Sequence, residues 1–457
     1  MPDQTTRIIF EEIASALSIQ ESSLDKVRFF EAGRLASRFP VTPLAAASVA
    51  VAGLAISDLV GEVGSAPSVS VDSRLASLWF DFSIHPQGWE IAAAWDDLAG
   101  DYRTRDGWIK LHTNAPHHKA AALDVLGCAL HKPAVADAVQ HHNGGDLEEA
   151  IVAAGGCAAA LRSESQWLSH PQGRALAAEP LVLWNGRSDL RMREWRPSPA
   201  RPLAGLRVLD MTRVLAGPVA TRFLAAYGAQ VLRIDPPEWD EPGIIPEVTL
   251  GKSCARLDLK QPEGRRTFEQ LLSQADVFVH GLRGDALDRL GFNADVRQGI
   301  MPGLIDISLN AYGHSGPWAS RRGFDSLVQF SSGIAYDGIL SGDASMPVSL
   351  PVQALDQATG YLMAAAAIRA VHARFRGDPL TQARLSLART ARLLQQHKDG
   401  LSGTDLRPGD AGDLAQAMEQ THWGQARRFK APLSIDGCEM FWDRPAAALG
   451  SAAAKWR

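Results

Sequence analysis

From residue 204 onward the chain alternates short apolar strands with helical stretches, and few folds accommodate that rhythm. Strands read at 206–211, 230–235, 276–280 and 303–309. Between them lie helices opening at Gly217-Pro218 and covering 262–275 and 285–290. Such alternation implies an α/β fold, a parallel sheet with helices on its faces, and a ligand beyond the C-terminal ends of the strands. The same reading divides the chain. Residues 1–98 form a helical segment and 99–187 a smaller α/β unit. A charged, proline-bearing linker follows at 188–203, then the large unit at 204–395, and 396–457 is a loop-rich wrap with a short hairpin.

A dinucleotide-binding sheet would carry GxGxxG after its first strand and an acidic residue about 20 positions on. Asp235 meets the second requirement, but the turn reads Thr212-Arg213-Val214-Leu215-Ala216-Gly217-Pro218 and fails the first. No GxxxxGK[ST] is present, which excludes a P-loop. The net charge of −5 argues against a nucleic-acid-binding surface, so an anionic ligand needs a local basic cluster. Four scattered cysteines without a CxxC pair fit a reducing, cytoplasmic setting. The polar N-terminus shows no signal peptide. The apolar run 43–57 is too short for a bilayer and reads as a buried helix, so no membrane is expected. The histidines between His112 and His142 lack HExxH spacing, and no metal is expected.

The stretch most suggestive of chemistry is Leu355-Asp356-Gln357-Ala358-Thr359-Gly360, ahead of an Ala-rich helix. An Asp there can serve as an N-cap. It can also be a carboxylate nucleophile, kept ionised by the helix dipole, with Gly360 letting a substrate approach the backbone. A helix, strand, helix order at 356–394 returns in degenerate form at 43–82, where Thr42-Pro43-Leu44 takes the place of the Asp356 neighbourhood. Only the later copy carries the carboxylate. A periodic stretch at 8–35 reads as helix.

Several motifs in order carry a resemblance. They are Leu209 to Pro218, Tyr227 to Asp235, Gly251 to Gly264, Ala275 to Val279, Asp285 to Gly291, Ala311 to Pro317 and Gly323-Phe324-Asp325. Together they resemble the class III CoA-transferase family, which includes formyl-CoA transferase, carnitine CoA-transferase and α-methylacyl-CoA racemase. The resemblance runs over about 204–395. Residues 106–181 are similar to the family's small domain, which here precedes the large one. The resemblance implies a Rossmann-like CoA-binding large domain of the family III CoA-transferase type and a homodimer. It also implies coenzyme A or acyl-CoA as substrate, with no tightly bound cofactor, and a carboxylic acid as the other partner.

By the same resemblance Asp356 is the nucleophile and Asp325 a second catalytic acid. Arg213, Lys252, Arg289, Arg322 and Gly360 are the CoA-binding positions. Asp235-Pro236 stands where many members carry a basic residue, so one adenine contact is lost. The Gly-rich lid has no counterpart, since 391–412 holds only Gly400, Gly403, Gly409 and Gly412. Racemases place a histidine directly before the second acid, where this chain has Phe324. Transfer through an aspartyl-acyl anhydride and an aspartyl-CoA thioester is therefore expected, the alternatives being an acyl-CoA racemase or isomerase and a non-catalytic CoA-binding homologue.

Overall fold

A computed structural model describes residues 3–30, 33–187, 195–284, 286–340, 345–398 and 406–457. Most of the expected linker's first half (188–194), Asp285, Gly400 and Gly403 lie outside the described residues. In chain order, α1 (Gln4–Ala16) and α2 (Glu21–Leu24) lead into β1 (Val27–Phe30), α3 (Val41–Val60), β2 (Val69–Asp72), α4 (Ser73–Trp79) and β3 (Ile84–Pro86). The helix expected over 8–35 therefore stops early. Val27–Phe30 pairs in parallel with Val69–Asp72, so sheet pairing overrides the helical spacing of Leu24, Val27 and Phe30.

The smaller unit holds β4 (Gly100–Arg103), β5 (Trp108–Leu111), α5 (Pro116–Leu126), α6 (Lys132–Val139), α7 (Gly144–Ala153) and β6 (Ala158–Ala160). Its own apolar core runs from Leu98 to Ala158. Beyond it α8 (Glu164–Ser169), α9 (Pro171–Ala177) and β7 (Leu183–Arg187) follow. Trp167, Leu176, Leu181 and Val182 join the main core instead, and β7 pairs antiparallel with a strand of the large sheet. The small unit's core is thus shorter than the expected 99–187, because its last elements bury their apolar faces elsewhere.

The large unit contains β8 (Arg207–Met211), α10 (Ala216–Ala226), β9 (Gln230–Asp235), α11 (Ile245–Val248), β10 (Lys252–Arg256), α12 (Pro262–Leu272), β11 (Val277–His280), α13 (Ala286–Arg289), α14 (Ala294–Ile300) and β12 (Ile305–Asn310). It continues with α15 (Asp325–Ser332), α16 (Ile334–Leu340), α17 (Ala354–Phe375), β13 (Leu380–Ser386) and α18 (Leu387–Gln396). The tail adds the hairpin β14 (Glu419–Thr421) and β15 (Gly424–Arg428), then β16 (Leu433–Ile435). The seven-stranded sheet has the order β10-β9-β8-β11-β12-β13-β7, parallel except for β7. Strand order reverses between β8 and β11. That is the switch point where such sheets open a crevice at their C-terminal edge.

Helix α3 spans 20 residues, longer than the run 43–57 suggested and long and apolar enough to cross a membrane. It is almost wholly buried inside the fold, in one apolar core with α17. The two helices begin alike. The Val41 N–H donates to Phe39 O at 2.7 Å around Pro40 (φ −74°, ψ 64°), and the Ala354 N–H donates to Val352 O at 2.7 Å around Gln353 (φ −75°, ψ 63°). Both are inverse γ-turns. Each copy then closes with a strand whose last residue caps the next helix: Asp72 accepts from Leu75 N–H, and Ser386 from Arg389 N–H. The shared start sets Pro43 in register with Asp356.

Glu247, fully buried, ties three parts of the chain together. Its carboxylate accepts from the Ser83 and Ile84 N–H groups at 3.0 and 3.1 Å and pairs with Arg222 of α10 and Arg428 of β15. Glu247→Ala would leave two guanidinium groups without this buried partner. The expected loss is about 3–5 kcal/mol of unfolding free energy, read from urea denaturation.

Candidate active site

Two helix N-termini meet at Asp356, and each is occupied by a carboxylate from another segment. Asp356 is the third residue of α17 and does not cap it; the N-cap residue Gln353 makes no side-chain cap. Asp325 of α15 does so from across the site. Its Oδ2 accepts from the Asp356 N–H at 2.9 Å, and the Leu355 N–H also donates to this carboxylate. Its Oδ1 accepts from Gln329 Nε2 at 2.5 Å, one helical turn on. The Asp356 carboxylate in turn faces the backbone N–H of Ala216, the first residue of α10, which favours its charged form.

Burial raises the proton affinity of both carboxyl groups, and for Asp356 the nearby charge of Asp325 adds to it. This corrects the expectation that the dipole of α17 keeps Asp356 ionised. Asp325 takes the N–H groups of that helix, so the charge belongs on Asp325 and the proton on Asp356. Lys110 of β5, 2.6 Å from Asp101, also favours the charged form of Asp325.

The loop from β8 to α10 is held tightly. Val214 has φ +64°, a conformation that costs a β-branched residue on the order of 1–3 kcal/mol. Its N–H donates to Glu241 Oε1 at 2.8 Å, and Glu241 pairs with Arg233 at 3.0 Å. Arg233 also holds Asp235 at 2.8 Å, so this buried aspartate is bound by its own strand. Strain therefore sits beside the N–H that meets Asp356.

The expected CoA-binding residues separate. Arg213 lies over the ring of Trp239 at 4.3 Å, and Arg322 donates to Gly155 O at 2.8 Å. Burial lowers the proton affinity of His117, and the positive charges of Arg322 and Arg213 lower it further, so both guanidinium groups face one neighbourhood. Arg289 is solvent-exposed on α13. Lys252 is not at a ligand surface. Its ammonium, 1% exposed, bonds Asp210 at 3.1 Å and Pro218 O at 2.9 Å, and burial brings its pKa down to about 8. It is a buried support under α10, because Asp210 needs a counter-charge there. Gly360 also has another role than expected. A Cβ there would stand 2.5 Å from Ala216 O and 2.8 Å from Val219 Cβ. The close approach is that of α10, not of a substrate.

The small unit of the same chain leans on this site. His112 stacks on Phe324 with ring centroids 3.6 Å apart, and His118 meets the same ring edge-on. Burial drives both imidazoles down to about 3, so both are neutral near pH 7. Cys157 and Ala159 pack with Leu327, Phe330 and Ala335, while Arg321 and Arg162 both bind Glu148. Sequence reading missed Ala216, Gln329 and His112. Only Gln329 had a local signal, its i, i+4 spacing from Asp325.

The profile of CoA-transferase family III matches residues 203–422, and over that stretch the chain is similar to the family. It is 28% identical over 289 residues to an acyl-CoA transferase of Gibberella moniliformis, covering 58% of this chain and 50% of the relative. It is 32% identical over 218 residues to succinyl-CoA:glutarate CoA-transferase of Mus musculus, covering 45% and 48% respectively. A succinate–glutarate CoA-transferase of Agrobacterium fabrum is 31% identical over 202 residues, 40% of this chain and 50% of the relative. The chain spans about half the length of these curated relatives.

Two outcomes follow for this site. Asp356 binds its proton more tightly when folded than when unfolded, so the folded state holds more protons between the two pKa values. Stability then falls as pH rises through that window, by about 1.4 kcal/mol for each unit separating them. Asp356→Asn removes this loss, so urea midpoints of the variant should exceed those of the parent at about pH 8 and converge with them near about pH 4. Gly360→Ala should cost about 1–3 kcal/mol through overpacking against α10, measured in the same titration.

Proposed function

We propose that this protein moves CoA between an acyl-CoA and a carboxylic acid, with Asp356 as the nucleophile. The observation that carries the reading is a buried carboxylate resting on the N-terminus of α10, at the crevice edge of a CoA-transferase family III sheet. Deprotonated Asp356 attacks the thioester carbonyl; the C–S bond breaks, and CoA leaves as thiolate from a mixed anhydride. The thiolate attacks the aspartyl carbonyl and releases the first acid as carboxylate. The acceptor carboxylate then displaces the thiolate from the aspartyl thioester, and the thiolate takes the new acyl group. Asp356 is regenerated as carboxylate.

The Ala216 N–H is aimed at the charge that develops on the aspartyl carbonyl oxygen. Asp325, whose charge acts on Asp356, is the base assigned in this reading to take its proton before attack. Arg213 and Arg322 suit the phosphates of CoA, which binds as substrate with no resident cofactor. The relatives named for succinate and glutarate make small dicarboxylic acids the first acids to try. Free thiols at all four cysteines suit a reducing, cytoplasmic compartment. A homodimer is the assembly that goes with this reading.

Acyl-CoA isomerisation is the second reading, favoured by His112 and His118 against Phe324, the position where racemases carry their histidine. Proton exchange at carbon needs a group titrating near neutrality, and burial takes both imidazoles far below it. Incubation with a panel of acyl-CoAs and trapping with hydroxylamine separates the two. Transfer predicts a hydroxamate on the Asp356 peptide by mass spectrometry, absent in Asp356→Asn together with a turnover loss beyond about 10³-fold. Deuterium entering the α-carbon of the acyl group with Asp356 unlabelled would establish isomerisation.

A further inference from the structure

We propose that Gln329 is a positioning residue that fixes the negative charge of the carboxylate pair on Asp325, and so governs when Asp356 becomes a nucleophile. The proposal rests on the reading of Asp356 as the reacting group. Gln329 is 1% exposed and reaches two partners at once. Its Nε2 donates to Asp325 Oδ1 at 2.5 Å, while its Oε1 accepts from the Leu350 N–H at 2.8 Å. The second bond fixes the orientation of the amide. A backbone N–H can be met only by the oxygen, so the NH₂ must face the carboxylate.

Asp325 thus collects three donors: the Leu355 and Asp356 N–H groups and the Gln329 amide. Asp356 faces the Ala216 N–H. Two buried carboxyl groups that feel each other's charge resist ionising together, and donors decide which of them keeps the charge. The other groups facing the pair are the Lys110 ammonium and the N-terminal N–H groups of α10 and α17. The two backbone donors to Asp325 cannot be removed without altering α17, and Lys110 is engaged by Asp101. Gln329 is the side-chain donor that bonds Asp325 directly. Leu350 lies four residues before α17, so the same amide also anchors the segment that delivers Asp356.

Gln329→Met keeps the size of the side chain and loses the donor. Asp325 then keeps a proton to higher pH, and within the singly charged pair the share of charge carried by Asp356 rises. The expected rise is about tenfold, the worth of one hydrogen bond to a charged group. Two readouts apply. One is the pH dependence of acylation of Asp356, trapped with hydroxylamine. The other is the infrared band of the protonated carboxyl that disappears in Asp356→Asn, followed across pH without any substrate.

Support requires Asp356 acylation and the Asp356 carboxylate share to rise about tenfold in Gln329→Met where the pair carries one charge, and not to rise when Gln329→Met is added to Asp325→Asn. A fall in rate with an unchanged Asp356 carboxylate share, or the same rise with and without Asp325, would overturn the proposal. If Gln329→Met does not fold, Gln329→Asn, too short to reach both partners, should raise the Asp356 carboxylate share in the same way. The infrared readout needs no turnover, so it tests Gln329 even if Asp356 proves not to be acylated.

Discussion

The exchange of carboxylates between helix starts is the interaction on which the site depends. Asp325 sits on the first N–H groups of α17, and Asp356 of α17 sits on the first N–H of α10. Each helix end therefore has its unsatisfied donors met by a side chain from another element. The arrangement places an acid on a helix terminus without letting it cap its own helix, and burial then keeps a proton in the pair. A carboxylic acid held this way is a poor nucleophile until the proton moves.

Close helix packing makes the exchange possible. Gly360 lets α10 approach α17 until the Ala216 carbonyl would touch an added methyl, and Gly217 lies as close to Thr212. Below them the Lys252 ammonium bridges Asp210 of β8 and Pro218 of α10, locking helix to sheet. The strained Val214 backbone is held by Glu241 and, through it, by Arg233. Farther out, Glu247 gathers the loop before β3, the helix α10 and the tail hairpin. One chain so supplies both the sheet and the small unit whose His112 lies flat on Phe324, next to Asp325.

Much of the large unit was legible because its signals are local. The strand 230–235 is read to the residue, and the alternation of strand and helix from 204 requires the parallel sheet that forms. The degenerate repeat was legible from element order. The matching turns at Pro40 and Gln353 then supply a register that the sequence could not, since their residues share no side-chain chemistry. The strand at 27–30 was misread because its partner is some forty residues away. The end of the small unit was misplaced because Leu183–Arg187 finds its partner in β13, nearly two hundred residues on.

The sequence by itself determined that a carboxylate stands at the head of an Ala-rich helix at the edge of an α/β sheet, because spacing and composition are properties of neighbouring residues. Tertiary structure alone decided what those groups do. It turned Lys252 from a ligand contact into a buried counter-charge, and Gly360 from an opening for substrate into a helix crossing. It set the proton on Asp356 and not on Asp325. Proton affinity follows from burial and from donors that reach across space, and neither is written in the order of residues along the chain.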